Sequence, residues 1–188
     1  SSAIRHLRRE LEIRPVKGYR VELIRALFEK GAEGEALNEA AMLTEWPGGT
    51  IRSAMDLFPF YLQRWRDGAQ PYAWGFFRQL AEREPDNIAL LNNMAWLAAT
   101  DPGAPAEAAG EAVRLAQRAE QLDGGRDPAI LNTLSAALAQ AGDAAEALAA
   151  GKRALALARA QGNQSLAERI RIRVDRMAGC GLDTAPDE

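Results

Sequence analysis

Residues 137–158 read ALAQAGDAAEALAAGKRALALA. The stretch is almost free of reactive side chains. Whether it is one long helix, a linker or a built unit decides the fold. Gly142-Asp143 interrupts it, and glycine takes the backbone conformations of a tight turn at little steric cost. The pair therefore reads as a turn between two helices. Residues 128–140 make the first helix, which Pro128 can open, and residues 144–161 make its antiparallel mate. The alanines and Gly151 of the mate are small because another helix must lie against them.

Working outward, the chain is helical nearly throughout. β-branched residues are sparse, no segment alternates with period two, and glycine and proline cluster between apolar stretches. Residues 3–14 form a helix with Ile4, Leu7 and Leu11 on one face, stopped by Pro15. Residues 19–30 form a second, with Leu23, Ile24 and Leu27 apolar, and Gly31 and Gly34 mark a turn. Residues 35–44 form a third, closed by Trp46-Pro47-Gly48-Gly49. Thr50 is a candidate N-cap, and Pro59 either kinks the helix over 51–65 or divides it in two. Further helices are expected over 71–84, 88–100, 106–122 and 164–177, with breaks at Pro85-Asp86, residues 101–105, Gly124-Gly125 and Gly162-Asn163. Residues 179–188 lack a helical pattern.

The helices repeat. LLNNMAWLAAT from residue 90 aligns with ILNTLSAALAQ from residue 130, at an offset of 40, placing Leu91, Asn92 and Met94 on Leu131, Asn132 and Leu134. EAVRLAQRAE from residue 111 aligns with EALAAGKRAL from residue 146, at an offset of 35, placing Ala112, Arg118 and Ala119 on Ala147, Arg153 and Ala154. Two helices match two helices, and the first turn carries five extra residues at 101–105.

On these residues, the unit over 128–159 resembles a tetratricopeptide repeat. Leu131, Leu134-Ser135, Leu138, Gly142, Ala147, Gly151 and Ala154 stand where that family has its large, small and turn residues. Residues 19–44 resemble it through Leu23-Ile24, Leu27, Gly31, Ala36, Ala40 and Leu43. Residues 51–85 do so only through Ala73, Phe77, Leu80 and Pro85. Residues 3–15 look like the last helix of a repeat, and the part from residue 87 looks like the end-of-array repeats of long bacterial multidomain proteins. The resemblance implies an all-α fold, a right-handed α-solenoid of antiparallel helix pairs. It would form one helical-repeat domain over 1–188, with degenerate hairpins over 1–85, two clear repeats over 86–160, a capping helix over 161–178 and a tail over 179–188. The cap follows from physics as well: an open-ended stack exposes the apolar face of its last repeat, and Leu166, Ile170, Val174 and Met177 share one face of the last helix while Arg169, Arg173 and Arg176 share another.

Composition bounds the function. The chain has 188 residues, 47% hydrophobic and 26% charged, with a net charge of −3, ordinary values for a globular domain. That charge argues against a nucleic-acid binder. Residues 1–30 are net +4, leaving −7 for the rest, and the basic end reads either as a contact for an acidic partner or, more simply, as a solvated helix face. No apolar run is long enough to span a bilayer. The opening Ser1-Ser2-Ala3, without methionine, suggests a domain cut from a longer protein, and the resemblance implies a bacterial one, with the domain cytoplasmic or periplasmic.

No catalytic constellation is visible. His6 is the only histidine and Cys180 the only cysteine, too few for a metal site and too far apart in sequence for a nucleophile and its base. Phosphate-binding glycine loops are absent. No enzyme activity, cofactor or metal is expected. Trp46, Trp65, Trp74 and Trp96 read as fillers at helix crossings. Trp96 has a second reading, because the resemblance puts it on the concave side, one turn after Asn92, with Asn132 equivalent in the next repeat. Asparagines there would bond a peptide backbone. The alternative is that Trp96 packs under residues 101–105. The positions at which some tetratricopeptide domains hold a C-terminal carboxylate with basic residues carry Asn92, Ala129 and Thr133 here, which argues against that kind of tail binding. The expected function is a scaffold for a protein or peptide partner, with Asn92, Trp96, Asn132, Gln140 and Arg25 as candidate contacts. The alternative is a regulatory or assembly module of a larger bacterial enzyme or membrane protein, with self-association as a further option.

Overall fold

A computed structural model describes residues 2–32, 35, 36, 38, 39, 42, 62, 65, 66, 68 and 70–180. The chain is all-α, with eight helices among the described residues, packed in sequential pairs. It divides into two compact units, Ser1–Glu84 and Pro85–Glu188. No helix among the described residues is long and apolar enough to cross a membrane.

The first unit contains α1 (Ser2–Ile13), α2 (Lys17–Glu29) and α3 (Gln70–Arg83). Pro15 lies in the non-helical link between α1 and α2, which pack together. Ile4 of α1 and Leu23, Ile24, Leu27 and Phe28 of α2 are buried. Gly31 ends α2 with φ 76°. The basic end of the chain is tied down locally, since Arg8 pairs with Glu35 and Arg20 with Glu39. On α3, Ala73, Trp74, Phe76, Phe77 and Leu80 are buried, and Trp65 meets Trp74 edge-on with ring centroids 6.2 Å apart. The expectations for Gly34, Trp46-Pro47-Gly48-Gly49, Thr50 and Pro59 lie outside the described residues.

The second unit follows its expected boundaries closely. α4 spans Ile88–Thr100, α5 Ala106–Asp123, α6 Pro128–Ala141, α7 Ala144–Ala160 and α8 Gln164–Cys180. Local chemistry sets the starts. Asn87 Oδ1 accepts from the Leu90 amide at 3.1 Å, Asp127 Oδ1 from Ala129 at 2.7 Å and Asn163 Oδ1 from Leu166 at 3.1 Å. Each satisfies one of the backbone donors that a helix start leaves unbonded. Gly142 turns α6 into α7 with φ 91°, a conformation that costs any side-chain-bearing residue. The last helix is longer than its periodicity suggests, running through Gly179 to Cys180.

α4 packs on α5, α5 on α6, α6 on α7 and α7 on α8, and α4 also lies against α6. At Gly151, α7 comes close to both α6 and α8. A Cβ there would stand 2.9 Å from Val174 Cγ2 and 3.0 Å from Ser135 Oγ, closer than van der Waals contact allows. Ser135, fully buried, donates to the Ala147 carbonyl at 2.7 Å and so links α6 to α7 at the same level. Leu131, Ala154, Ala158, Leu166, Ala167, Ile170 and Val174 form one core cluster, against which Met177 packs. The apolar face expected of the last helix is therefore the face it buries. The repeat also shows in the ion pairs. Arg118 reaches back to Asp86 at 2.6 Å, and its equivalent Arg153 reaches back to Glu120 at 3.1 Å. Both pairs are exposed and contribute little, about 0–1 kcal/mol each.

Candidate functional site

Three helices of the second unit enclose a cavity of about 270 Å³. Each supplies side chains three or four residues apart, the spacing that puts successive turns of a helix on one side. α4 gives Asn92 and Trp96, α6 gives Ala129, Asn132 and Thr133, and α8 gives Leu166, Arg169 and Arg173. Asn92, Trp96 and Asn132, three of the five expected contacts, are thus brought together. Gln140 lies two turns further along α6, exposed, and is not part of the lining. Arg25 belongs to the other unit, where it pairs with Glu22 on its own helix at 3.0 Å.

The amides are placed at a cost. Asn132 is only 9% exposed, and its Oδ1 is buried without a hydrogen-bond partner in the protein. Asn92 Oδ1 is in the same condition. Leaving a buried acceptor unpaired costs roughly 1–3 kcal/mol, so a sequence that needed only packing would place an apolar residue here. Thr133, 2% exposed, donates its hydroxyl to the Ala129 carbonyl at 3.0 Å, which leaves its oxygen as an acceptor only.

The cations come from α8. The Arg173 guanidinium sits 4.8 Å from the centroid of the Trp96 ring, within cation–π range, and partial burial pushes its pKa below the ordinary arginine value. It remains charged, because arginine keeps its proton far above neutral pH. Among the described residues neither Arg169 nor Arg173 has a carboxylate partner, whereas Arg171 on the same helix has two, Glu168 at 2.6 Å and Asp175 at 2.7 Å. Those bonds hold Glu168 below the usual carboxylate value and raise Arg171. The acids of α8 are committed to the solvent face, and the charges on its cavity face, among the described residues, are all positive.

Arg169 and Arg173 are the residues that sequence reasoning placed only on a charged helix face. Their i,i+4 spacing was the available signal, but helix periodicity says which residues share a face and not what that face meets. The positions whose lack of basic residues argues against carboxylate binding, Asn92, Ala129 and Thr133, all line the cavity. The positive charge of the site is supplied from a different helix. Trp96 neither fills a core nor stands bare, since one face of it carries Arg173.

Among the described residues the lining contains no carboxylate, imidazole or thiol, so it offers hydrogen bonds, charge and an aromatic wall. A shallower depression of about 420 Å³ is lined by Gly125, Leu131, Arg153 and the apolar residues Ala156, Leu157 and Ala160. Its charged member, Arg153, is already paired with Glu120. In comparisons with known proteins, neither a protein-family model nor a curated protein matches the chain.

Proposed function

We propose that the chain is an interaction module, without catalysis of its own, that holds a peptide segment of a partner protein in the cavity between α4, α6 and α8. Its helix pairs are read as tetratricopeptide-like, stacked as a right-handed solenoid with α8 as cap. The observation that carries the reading is the pair of buried, unpartnered amide oxygens of Asn92 and Asn132. They are equivalent positions of two consecutive repeats, and successive peptide groups offer the N–H donors that such oxygens lack. Placed forty residues apart in the chain yet on one cavity, they match a ligand with repeating backbone donors better than a compact small molecule.

Asn132→Leu separates a binding role from a structural one. If the amide serves binding, the variant is more stable than the parent by about 1 kcal/mol in denaturant titration, because an unpaired acceptor has been removed. It also loses the peptides that the parent enriches from a displayed random-peptide library. A destabilised variant, or one that enriches the same peptides, would count against the proposal.

A further inference from the structure

We infer that the cavity selects a carboxylate on the peptide it holds, gripped by Arg169 and Arg173 while Asn92 and Asn132 accept the neighbouring backbone N–H groups. The inference rests on the peptide-binding reading and adds the chemistry that reading leaves open. Two observations carry it independently of each other. The cavity holds two cations with no carboxylate partner among the described residues, on a helix whose acids are paired elsewhere. Its lining also includes the amides of Asn92 and Asn132, whose buried oxygens lack donors and reach a ligand once the amide turns toward it. A ligand that satisfies both must bring an anionic oxygen and N–H groups close together, and an acidic residue within a peptide does so.

The geometry favours arginine chemistry. The guanidinium of Arg173 is already held over Trp96, so less side-chain freedom is lost when it engages an anion. Its planar fork matches the two oxygens of a carboxylate. Arg169 stands one turn away on the same face of α8, which lets both heads converge on one group. Ala129 and Leu166 also line the cavity and leave an apolar wall for the aliphatic part of an acidic side chain.

A carboxylate can come from a side chain or from a peptide C-terminus, and the test distinguishes them. The full chain is titrated with four probes while the Trp96 indole N–H and Arg173 Nε–H resonances are followed. The probes are a tripeptide blocked at both ends with a central glutamate, an N-acetylated alanine tripeptide with a free C-terminus, the blocked tripeptide with central glutamine, and inorganic phosphate. The expected result is that one carboxylate peptide moves both resonances and binds about tenfold more tightly than the glutamine peptide. The tighter of the two carboxylate peptides names the source. Arg173→Gln and Arg169→Gln, each with an unchanged far-ultraviolet spectrum, should each abolish that preference. Affinity of both carboxylate peptides no greater than that of the glutamine peptide overturns the inference and leaves peptide binding standing. Tighter binding of phosphate than of either carboxylate also overturns it. Failure of all three peptides to move the resonances overturns the inference and the peptide reading together.

Discussion

In the unit Ser1–Glu84 the spaces between helices are filled by Trp65, Trp74, Phe28, Phe77 and the leucines of α2 and α3. In Pro85–Glu188 the same task falls largely to alanine, at positions 95, 98, 108, 112, 116, 119, 136, 137, 147, 150, 154, 158 and 167. Large side chains hold helices apart and fill the gap with apolar surface. Small ones let the backbones approach, and the loss of buried area per residue is offset by dispersion contacts between the helices themselves. The difference extends to polarity. The described residues that are buried and polar, Asn87, Asn132, Thr133 and Ser135, all lie in the second unit. Of these, Ser135 and Asn87 have their bonds within the fold, and Asn132 faces the cavity with its acceptor unpaired. Close packing by alanine thus leaves edges of the helices available for recognition, which an aromatic core would cover.

The contrast can be broken by substitution. The largest effect is expected at Trp74, which is fully buried against Trp65. Trp74→Ala should cost about 3–5 kcal/mol in chemical denaturation, and a loss below about 1 kcal/mol would show that the aromatic cluster is not what holds its unit together. A smaller loss is expected from a side chain forced into the alanine interface. Gly151→Val places branched atoms against Val174 and Ser135 and should cost roughly 1–3 kcal/mol. Gly110, helical and with open space around its Cα, is the control: Gly110→Ala should stabilise by about 0.5–1 kcal/mol through helix propensity. Equal responses at the two glycines would contradict the close approach of α7 and α8.

How much of this was readable from the chain follows the same contrast. In the second unit the turns are marked by Gly124, Gly142 and Gly162, and the helices between them were bounded to within a residue or two, apart from the end of α8. Their alanine stripes have one interpretation, since no other packing tolerates so little side-chain volume. The alignment of Leu91, Asn92 and Met94 with Leu131, Asn132 and Leu134 also gave the α4 and α6 walls of the cavity. The α8 wall was not readable. Arg169 and Arg173 face Asn132 and Trp96 across a gap of 37–77 residues in the chain, and a helical wheel of α8 gives their direction only relative to Leu166 and Ile170. The absence of carboxylate partners, which makes these arginines informative, is a property of the folded surface.

The smallest expected effect concerns the opposite face of α8. Glu168 has its pKa lowered by Arg171, so the pair supports the fold above the pKa of an unfolded glutamate and loses that support as pH falls through the lowered folded value. The melting temperature of Glu168→Gln should lie slightly below that of the parent at pH 7. The gap should close on acidification, and it should be small throughout because the pair is exposed. A gap that widens in acid would reverse the assignment of Arg171 as the partner.

The arginine of α8 that lies over the tryptophan of α4 has a consequence for how such a chain can change over generations. Helix pairs that pack mainly on their sequence neighbours can be duplicated with little disturbance to folding, and this is an easy route to a longer protein. One duplication between α7 and α8 would keep every neighbour contact of the inserted pair and still carry Arg169 and Arg173 away from Asn92 and Trp96. The cavity therefore exists at one helix count only. It works as a ruler: a lineage that lengthens at this place keeps the architecture and forfeits the pocket, and one that keeps the pocket cannot grow there.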